Sequence, residues 1–377
     1  MNIETIIFCN TFGIILLIML LGSGHLFSKM RDQENRLFLC IVLVAIIGSL
    51  FEMVSFFVDG KEFFAARSIN TVSNTIIYMA NIIYPVFWVL FVDWKVYQNK
   101  ERFKRTAIGA SIPALLIMGL LIGNIEGGYF FQISADNIYS RGPFAVSVLV
   151  FPLIYMVFSL GDAHFGMQDA NCMFFPIVLL ILPATFGIAL QLMFYGVSLI
   201  WPCLAIGLVG VYIYKQKEIS YTDSLSHIYN RKYMTYILEK KDLFKTACAG
   251  IMIDVDHFKQ INDKYGHLMG DQAITDTGRI ILDSIPKNAI GTRFAGDEFV
   301  IILPTQKATE VIDVIEEINY RVKKFNCTGK RPYKLSYSIG YSIFFPGRNT
   351  IEEFLEEMDR NMYKDKKEKK IRDWHTA

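Results

Sequence analysis

Between Asp169 and Lys215 the chain carries no Asp, Glu, Lys or Arg. The apolar run over 173–214 is 42 residues long, and a bilayer crossing needs roughly 20. It therefore reads as two crossings, not one buried helix. The imbalance extends across the first 214 residues, which hold 11 Lys+Arg and 12 Asp+Glu against 27 and 24 in the last 163. A single uniform soluble globule is excluded. So is a disordered chain, because 14% of residues are aromatic and the formal net charge is only +2. That near-zero balance gives no reason to expect a nucleic-acid partner. The expected organisation is a membrane domain over 1–214, a short helical linker over 215–222 and a water-soluble domain over 223–377.

About seven spans are expected, near 5–26, 37–58, 72–93, 107–124, 144–161, 173–192 and 195–214. Pro85, Pro113, Pro152, Pro176, Pro183 and Pro202 fall inside them, which neighbouring helices in lipid tolerate. Nothing basic precedes the first stretch, so it is read as a span and not a cleavable signal peptide. Basic residues in the short loops orient the bundle. The odd-numbered loops carry Lys29, Arg31 and Arg36, then Lys95, Lys100, Arg102, Lys104 and Arg105. The even-numbered ones carry Lys61, Arg67 and Arg141. The N-terminus is thus expected outside, with the C-terminal domain in the cytoplasm.

An ionisable group inside a span is a functional-site hypothesis by default. Glu52 is one, and the alternative is a carboxyl that only fixes helix packing. Asn74, Asn81 and Gln191 are expected to join helices, not to hold a ligand. His25 and His164 lie near span ends, and neither is expected to bind metal or haem. Six cysteines with no CxxC spacing read as small buried hydrophobes. Sensing suits such a domain, but no residue names the signal ligand.

Past the linker the pattern alternates. A helix is expected over 230–242, a strand over 248–256, a helical region from Phe258 and a second helix over 269–284. Two strands about a tight turn follow within 290–304, then a helix over 307–325, a strand pair within 332–346 and a final helix over 350–370. That order is ferredoxin-like α+β. In such a fold the first strand runs antiparallel to the third, so Asp254 at its end comes beside Asp297 at the hairpin tip. Paired carboxylates repel unless a cation lies between them, and oxygen-only ligation suits Mg²⁺. Asp254, the Val255 carbonyl and Asp297 would hold such an ion against a triphosphate. Gly296 frees the turn for close approach and positive φ, and Lys259 is near enough to meet phosphate charge. Each piece alone has a plainer reading, since a solvated DxD or an ordinary Gly-Asp hairpin needs no ligand.

Five motifs occur in order: "DSLSHIYNR" (223–231), "MIDVDHFKQINDKYGHLMGDQAI" (252–274), "RFAGDEFVIILP" (293–304), "LSYSIGYSIF" (335–344) and "MDRNMYKDKK" (358–367). Together they resemble the GGDEF-domain diguanylate cyclases over about 223–370. The resemblance implies a nucleotidyl-cyclase type of α+β domain. It also implies condensation of two GTP into cyclic di-GMP with release of two pyrophosphates, in a homodimer at a bacterial inner membrane. Mg²⁺ (or Mn²⁺) is the implied cofactor, with Asp254, Val255 and Asp297 at the metal and Asp297 as proton acceptor. Glu298 is the neighbouring acid, at metal or ribose, and Lys259 stabilises the transition state. Asn262, His267 and Asp271 match guanine-binding positions, and Lys366 and Lys370 match basic positions near the γ-phosphate. A carboxylate at 271 can accept from guanine N1–H and the 2-amino group together, which adenine does not offer.

Three departures stand out. Ala295 replaces the first signature glycine, which costs roughly 1 kcal/mol or more if the position needs positive φ. The product-inhibition RxxD is absent, because 286–289 read Pro286, Lys287, Asn288 and Ala289. Lys370 stands in a lysine run where the family has Gly-Arg-Asn, and it lacks Arg's fork. The rivals are a degenerate GTP-binding scaffold and a cyclase that accepts ATP.

Overall fold

The computed structural model describes residues 3–23, 32–167, 177–194, 197–240 and 246–376. It divides into two compact units, Met1–Lys215 and Gln216–Ala377. His25, Lys29, Arg31, Cys172 and Pro176, and the side chain of His164, lie outside the described residues.

The first unit is helical: α1 (Ile3–Gly22), α2 (Gln33–Val58), α3 (Ala66–Tyr97), α4 (Lys100–Ile122), α5 (Ala145–Met167), α6 (Val178–Met193) and α7 (Ile200–Tyr221). Among the described residues, five of these (α1 to α5) are long and apolar enough to cross a bilayer. The sixth, α6, is apolar but only 16 residues long. The last, α7, runs past the first unit's boundary at Lys215 to Tyr221 and carries Lys215, Lys217 and Glu218 in its final turns. Asn99 starts α4, its Oδ1 accepting from the N–H groups of Glu101 and Arg102, both at 3.0 Å. Between α4 and α5 lies an antiparallel hairpin, β1 (Phe131–Ile133) with β2 (Tyr139–Arg141), that the apolar pattern does not signal. Phe38, Tyr84, Trp88, Phe91 and Trp201 fill the core. Gly48 is required there, since a Cβ would come 2.4 Å from the Trp201 ring.

The second unit is a five-stranded sheet in the order β3-β5-β6-β4-β7. These strands are β3 (Tyr229–Asn230), β4 (Cys248–Val255), β5 (Ile290–Ala295), β6 (Glu298–Leu303) and β7 (Tyr337–Phe344). Helices α8 (Arg231–Lys240), α9 (Phe258–Tyr265), α10 (His267–Ser284), α11 (Ala308–Cys327) and α12 (Ile351–Thr376) complete it. All eight residues of β4 are buried, the mark of a central strand covered on both faces. Ala249, Ile251, Ile253 and Val255 share a core with Ile274, Ile281, Val311 and Ile318 of α10 and α11. The alternate residues face α12. A Cβ on Gly250 would meet Met358 Sδ at 2.3 Å, and one on Gly340 would meet the Met362 backbone nitrogen at 2.0 Å. The two-residue pleat puts Asp254 on that same α12 face.

As expected, β4 pairs antiparallel with β6, and it also pairs antiparallel with β7. Two expectations are corrected. One strand, not two, forms within 332–346. The Asn326 side chain takes both the Leu335 N–H (2.8 Å) and its carbonyl (2.7 Å), leaving that residue nothing to offer a ladder. The cysteines are not uniformly buried: Cys203 and Cys248 are, Cys9 and Cys40 are half-buried, and Cys327 is exposed.

Candidate active site

The site lies where β4 ends. In the β4–β6 register Asp254 sits opposite Glu298, and the Val255 N–H donates to the Asp297 carbonyl at 3.1 Å. The hairpin tip is thereby fastened to the strand end. Asp254 is 6% exposed and receives a bond from Lys366 Nζ of α12 at 2.6 Å. Burial pushes its carboxyl above the usual range, Lys366 pulls it back, and Asp297 and Asp256 push it up again. Glu298 is raised for the same reasons, burial first and then the Asp254 and Asp297 charges. Burial alone would lower the Lys366 ammonium, but the bond to Asp254 and the charges of Asp254, Asp297 and Asp256 together outweigh it and raise the group above its usual value.

Asp256 is engaged elsewhere. Its two oxygens accept from Ser336 Oγ (2.7 Å) and Ser338 Oγ (2.6 Å), and its N–H donates to the Ser336 carbonyl (2.9 Å). Of the two acids in the 254–256 motif, it is therefore Asp254 that stands among the hairpin carboxylates.

The hairpin tip is set by Arg293, which the motif reading passed over. Its Nε and Nη2 donate to the Gly296 carbonyl at 2.9 and 2.7 Å, while Nη1 donates to Asp223 Oδ1 at 3.0 Å. Burial would raise the Asp223 carboxyl. The Ser226 N–H and hydroxyl and the Arg293 guanidinium outweigh it and hold the group below its usual value. The signal was present as one acid and one base heading two of the motifs. A bulge at Arg293–Ala295 re-aims the strand into the turn. Neither Ala295 nor Gly296 has left-handed backbone, so the expected positive φ at Gly296 is not what this turn uses. Gly296 instead faces open space, with nothing within 4 Å of a built Cβ.

An open groove of about 890 Å³ runs beside the strand end. Val255, Lys259, Asp297, Lys366 and Lys370 line it, together with Lys369, which the sequence did not single out. Lys369 donates to the Tyr337 carbonyl and to Asp365 Oδ2. Asn262, His267 and Asp271 do not line that groove. They stand at the α9–α10 junction, where Gly266 (φ +84°) turns the chain and donates its N–H to the Asn262 carbonyl at 2.8 Å. His267 and Asp271 are exposed one turn apart on α10, and Asn262 Oδ1 lies against Gly270.

Among the described residues no three His, Cys, Asp or Glu side chains are grouped so as to hold an ion by themselves. The donors at the strand end are two carboxylates and a backbone carbonyl. Such an oxygen-only, incomplete set fits Mg²⁺, which keeps waters and shares phosphate oxygens. The upward push of Asp297 on Asp254, and of both on Glu298, marks a place where a cation is favoured.

The segment of residues 220–372 matches the family described as diguanylate cyclase, GGDEF domain. It is 30% identical over 158 residues to the response regulator PleD of Caulobacter vibrioides, covering 40% of this chain and 34% of that protein. It is 29% identical over 147 residues to the diguanylate cyclase DosC of Escherichia coli, covering 37% and 32%. The chain thus spans about a third of the length of the curated relatives it matches. A solved structure of the coiled coil and GGDEF domain of DgcB from Caulobacter crescentus, in complex with c-di-GMP, aligns at 25% identity and a TM-score of 0.39. That alignment covers 42% of this chain and 87% of that one.

Proposed function

We propose that the protein is a membrane-bound diguanylate cyclase whose first unit regulates it. In this reading a 3′-hydroxyl oxygen of one GTP forms a bond to the α-phosphorus of a second. The bond from that phosphorus to the bridging oxygen breaks, and pyrophosphate leaves. Two such steps close the ring. Each protomer of a homodimer presents one GTP, so the signal need only change how two copies face each other.

Asp254, Asp297 and the Val255 carbonyl would hold Mg²⁺ or Mn²⁺, which neutralises phosphate charge and acidifies the attacking hydroxyl. Asp297 accepts the hydroxyl proton. Lys259 meets charge developing at the α-phosphate, and Lys366 and Lys370 meet the γ-phosphate. Glu298 supports the metal or the ribose, and Asn262, His267 and Asp271 hold guanine. The ordinary backbone at Ala295 supports activity over a degenerate scaffold, because its methyl adds no strain there. Five helices long and apolar enough to cross a bilayer support membrane attachment; with seven spans and the N-terminus outside, as the loop charges suggest, the cyclase would lie in the cytoplasm.

The observation that carries the reading is the meeting of Asp254, Glu298 and the Asp297 turn beside Lys366. The full chain in detergent, given Mg²⁺ with GTP and separately with ATP, tests it by chromatography and mass spectrometry. Cyclic di-GMP with two pyrophosphates per product is expected from GTP alone. Undiminished synthesis by both Asp254→Ala and Asp297→Ala would sink the assignment, and GTP bound without turnover would point to the scaffold.

A further inference from the structure

The first unit holds a partly open cavity of about 140 Å³, walled by residues of α2, α3, β2, α5 and α6 and by Asp59 and Val197 beside them. The polar network beside it is satisfied. Asn74 Nδ2 donates to Ser55 Oγ and to Asn70 Oδ1, both at 2.8 Å, and Asn70 Nδ2 donates to Asp59 Oδ1 at 3.1 Å. Asn74 thus joins helices, as its sequence suggests.

Three other wall residues behave differently. Glu52 is 3% exposed and bonded to Ser198 and Asn10, yet its Oε2 has no partner. Asn81 is 4% exposed and donates its amide N–H to the Ile77 carbonyl at 3.0 Å, leaving Oδ1 without a partner. Gln191 Oε1 is buried and also unpartnered. A buried acceptor left unbonded costs about 1–3 kcal/mol, more when ionised. With Glu52 ionised all three orphans are acceptors, and all three residues line one small space. What is missing is a donor.

We infer that this cavity binds a small primary ammonium compound. An ammonium carries three N–H donors and no acceptor, one for each orphaned oxygen. Wall charge agrees. Glu52 and Asp59 are opposed by Arg141, leaving a formal balance of one negative charge that a monocation neutralises and a zwitterion does not. Phe56, Ile77, Leu149 and Val197 give the wall apolar area that suits a short hydrocarbon tail, beside Tyr78 and Tyr139, whose hydroxyls bond each other at 2.9 Å. The three acids and amides come from three helices, so an occupant that bonds them ties α2, α3 and α6 together.

The test is equilibrium binding of propylammonium to the purified full chain in nanodiscs, by calorimetry and thermal shift, at fixed ionic strength. Saturable binding is expected, with 1-propanol and tetramethylammonium each at least tenfold weaker, since one lacks the charge and the other the N–H donors. Glu52→Gln and, separately, Gln191→Met are each expected to weaken it at least tenfold while the apo protein remains folded by circular dichroism. The inference is overturned if propylammonium does not saturate, if Na⁺ reproduces its effect, if tetramethylammonium matches it, or if both folded variants bind it as the parent does.

Discussion

Lys366 holds Asp254 at 2.6 Å, with the lysine side chain 30% exposed and the aspartate side chain 8% exposed. A divalent ion entering without nucleotide must share Asp254 with that ammonium or displace it. Replacing Lys366 by Met keeps the stem that packs along the helix and removes only the charge. A hydrogen bond to a charged group is worth about 1.5–3 kcal/mol net, or roughly 10- to 100-fold in a binding constant. Lys366→Met is therefore expected to bind Mn²⁺ about 10-fold or more tightly at pH 8, in the absence of nucleotide. GTP turnover should move the opposite way and fall about 10- to 100-fold, because the charge beside the phosphates is gone. The pH dependence has a definite sign. Metal binds the carboxylate, and Asp254 protonates above the usual range, so affinity falls as pH drops through that raised value. Without Lys366 nothing opposes burial and the Asp297 charge, so the fall begins at higher pH. Electron paramagnetic resonance of Mn²⁺ titrated into the full chain reads both effects. Mn²⁺ affinity at pH 8 that stays the same or weakens in Lys366→Met would refute the argument.

Arg293→Lys keeps the charge but cannot fork onto the Gly296 carbonyl. Turnover should drop roughly 100-fold, as it does for displacements of about 1 Å in a reacting group, with the melting temperature nearly unchanged; full turnover would show that the turn needs no anchor. Ala295→Gly should alter the GTP turnover number by less than about threefold, since neither turn residue is left-handed, and a tenfold gain would contradict that geometry. Gly340→Ala forces a methyl into the α12 backbone and should destabilise the second unit by about 1–3 kcal/mol, read as a lower thermal midpoint.

How far the sequence reaches can be argued residue by residue. The eight buried positions of β4 are apolar up to Asp254, so the strand and its polar end are both legible. Ferredoxin-like order then brings the hairpin tip alongside, which is where Glu298 and the Asp297 turn are found. Turn conformation is less legible. A glycine suggests positive φ, but a bulge at 293–295 and an arginine on the carbonyl close this turn with ordinary backbone. A strand pair is expected within 332–346, but the side chain of Asn326, nine residues before Leu335, satisfies that residue's backbone instead. The two-residue strand β3 is too short for any periodicity to signal.

The helical unit sharpens the same point. Asn81 and Gln191 look alike in sequence to Asn74, each a neutral polar residue inside an apolar stretch, and packing is the expectation for all three, whereas Glu52 stands out by its charge. What separates them is atom by atom. Asn74 spends its donor on Ser55 and Asn70, whereas Asn81 spends its donor within its own helix and turns its oxygen to a shared space. Composition registers a polar side chain, but only coordinates show which of its atoms is left wanting. In a low-dielectric interior an unpaired acceptor is costly enough to need a partner. An oxygen left without a donor inside a helical bundle therefore cannot be read from the apolar pattern that reveals the bundle.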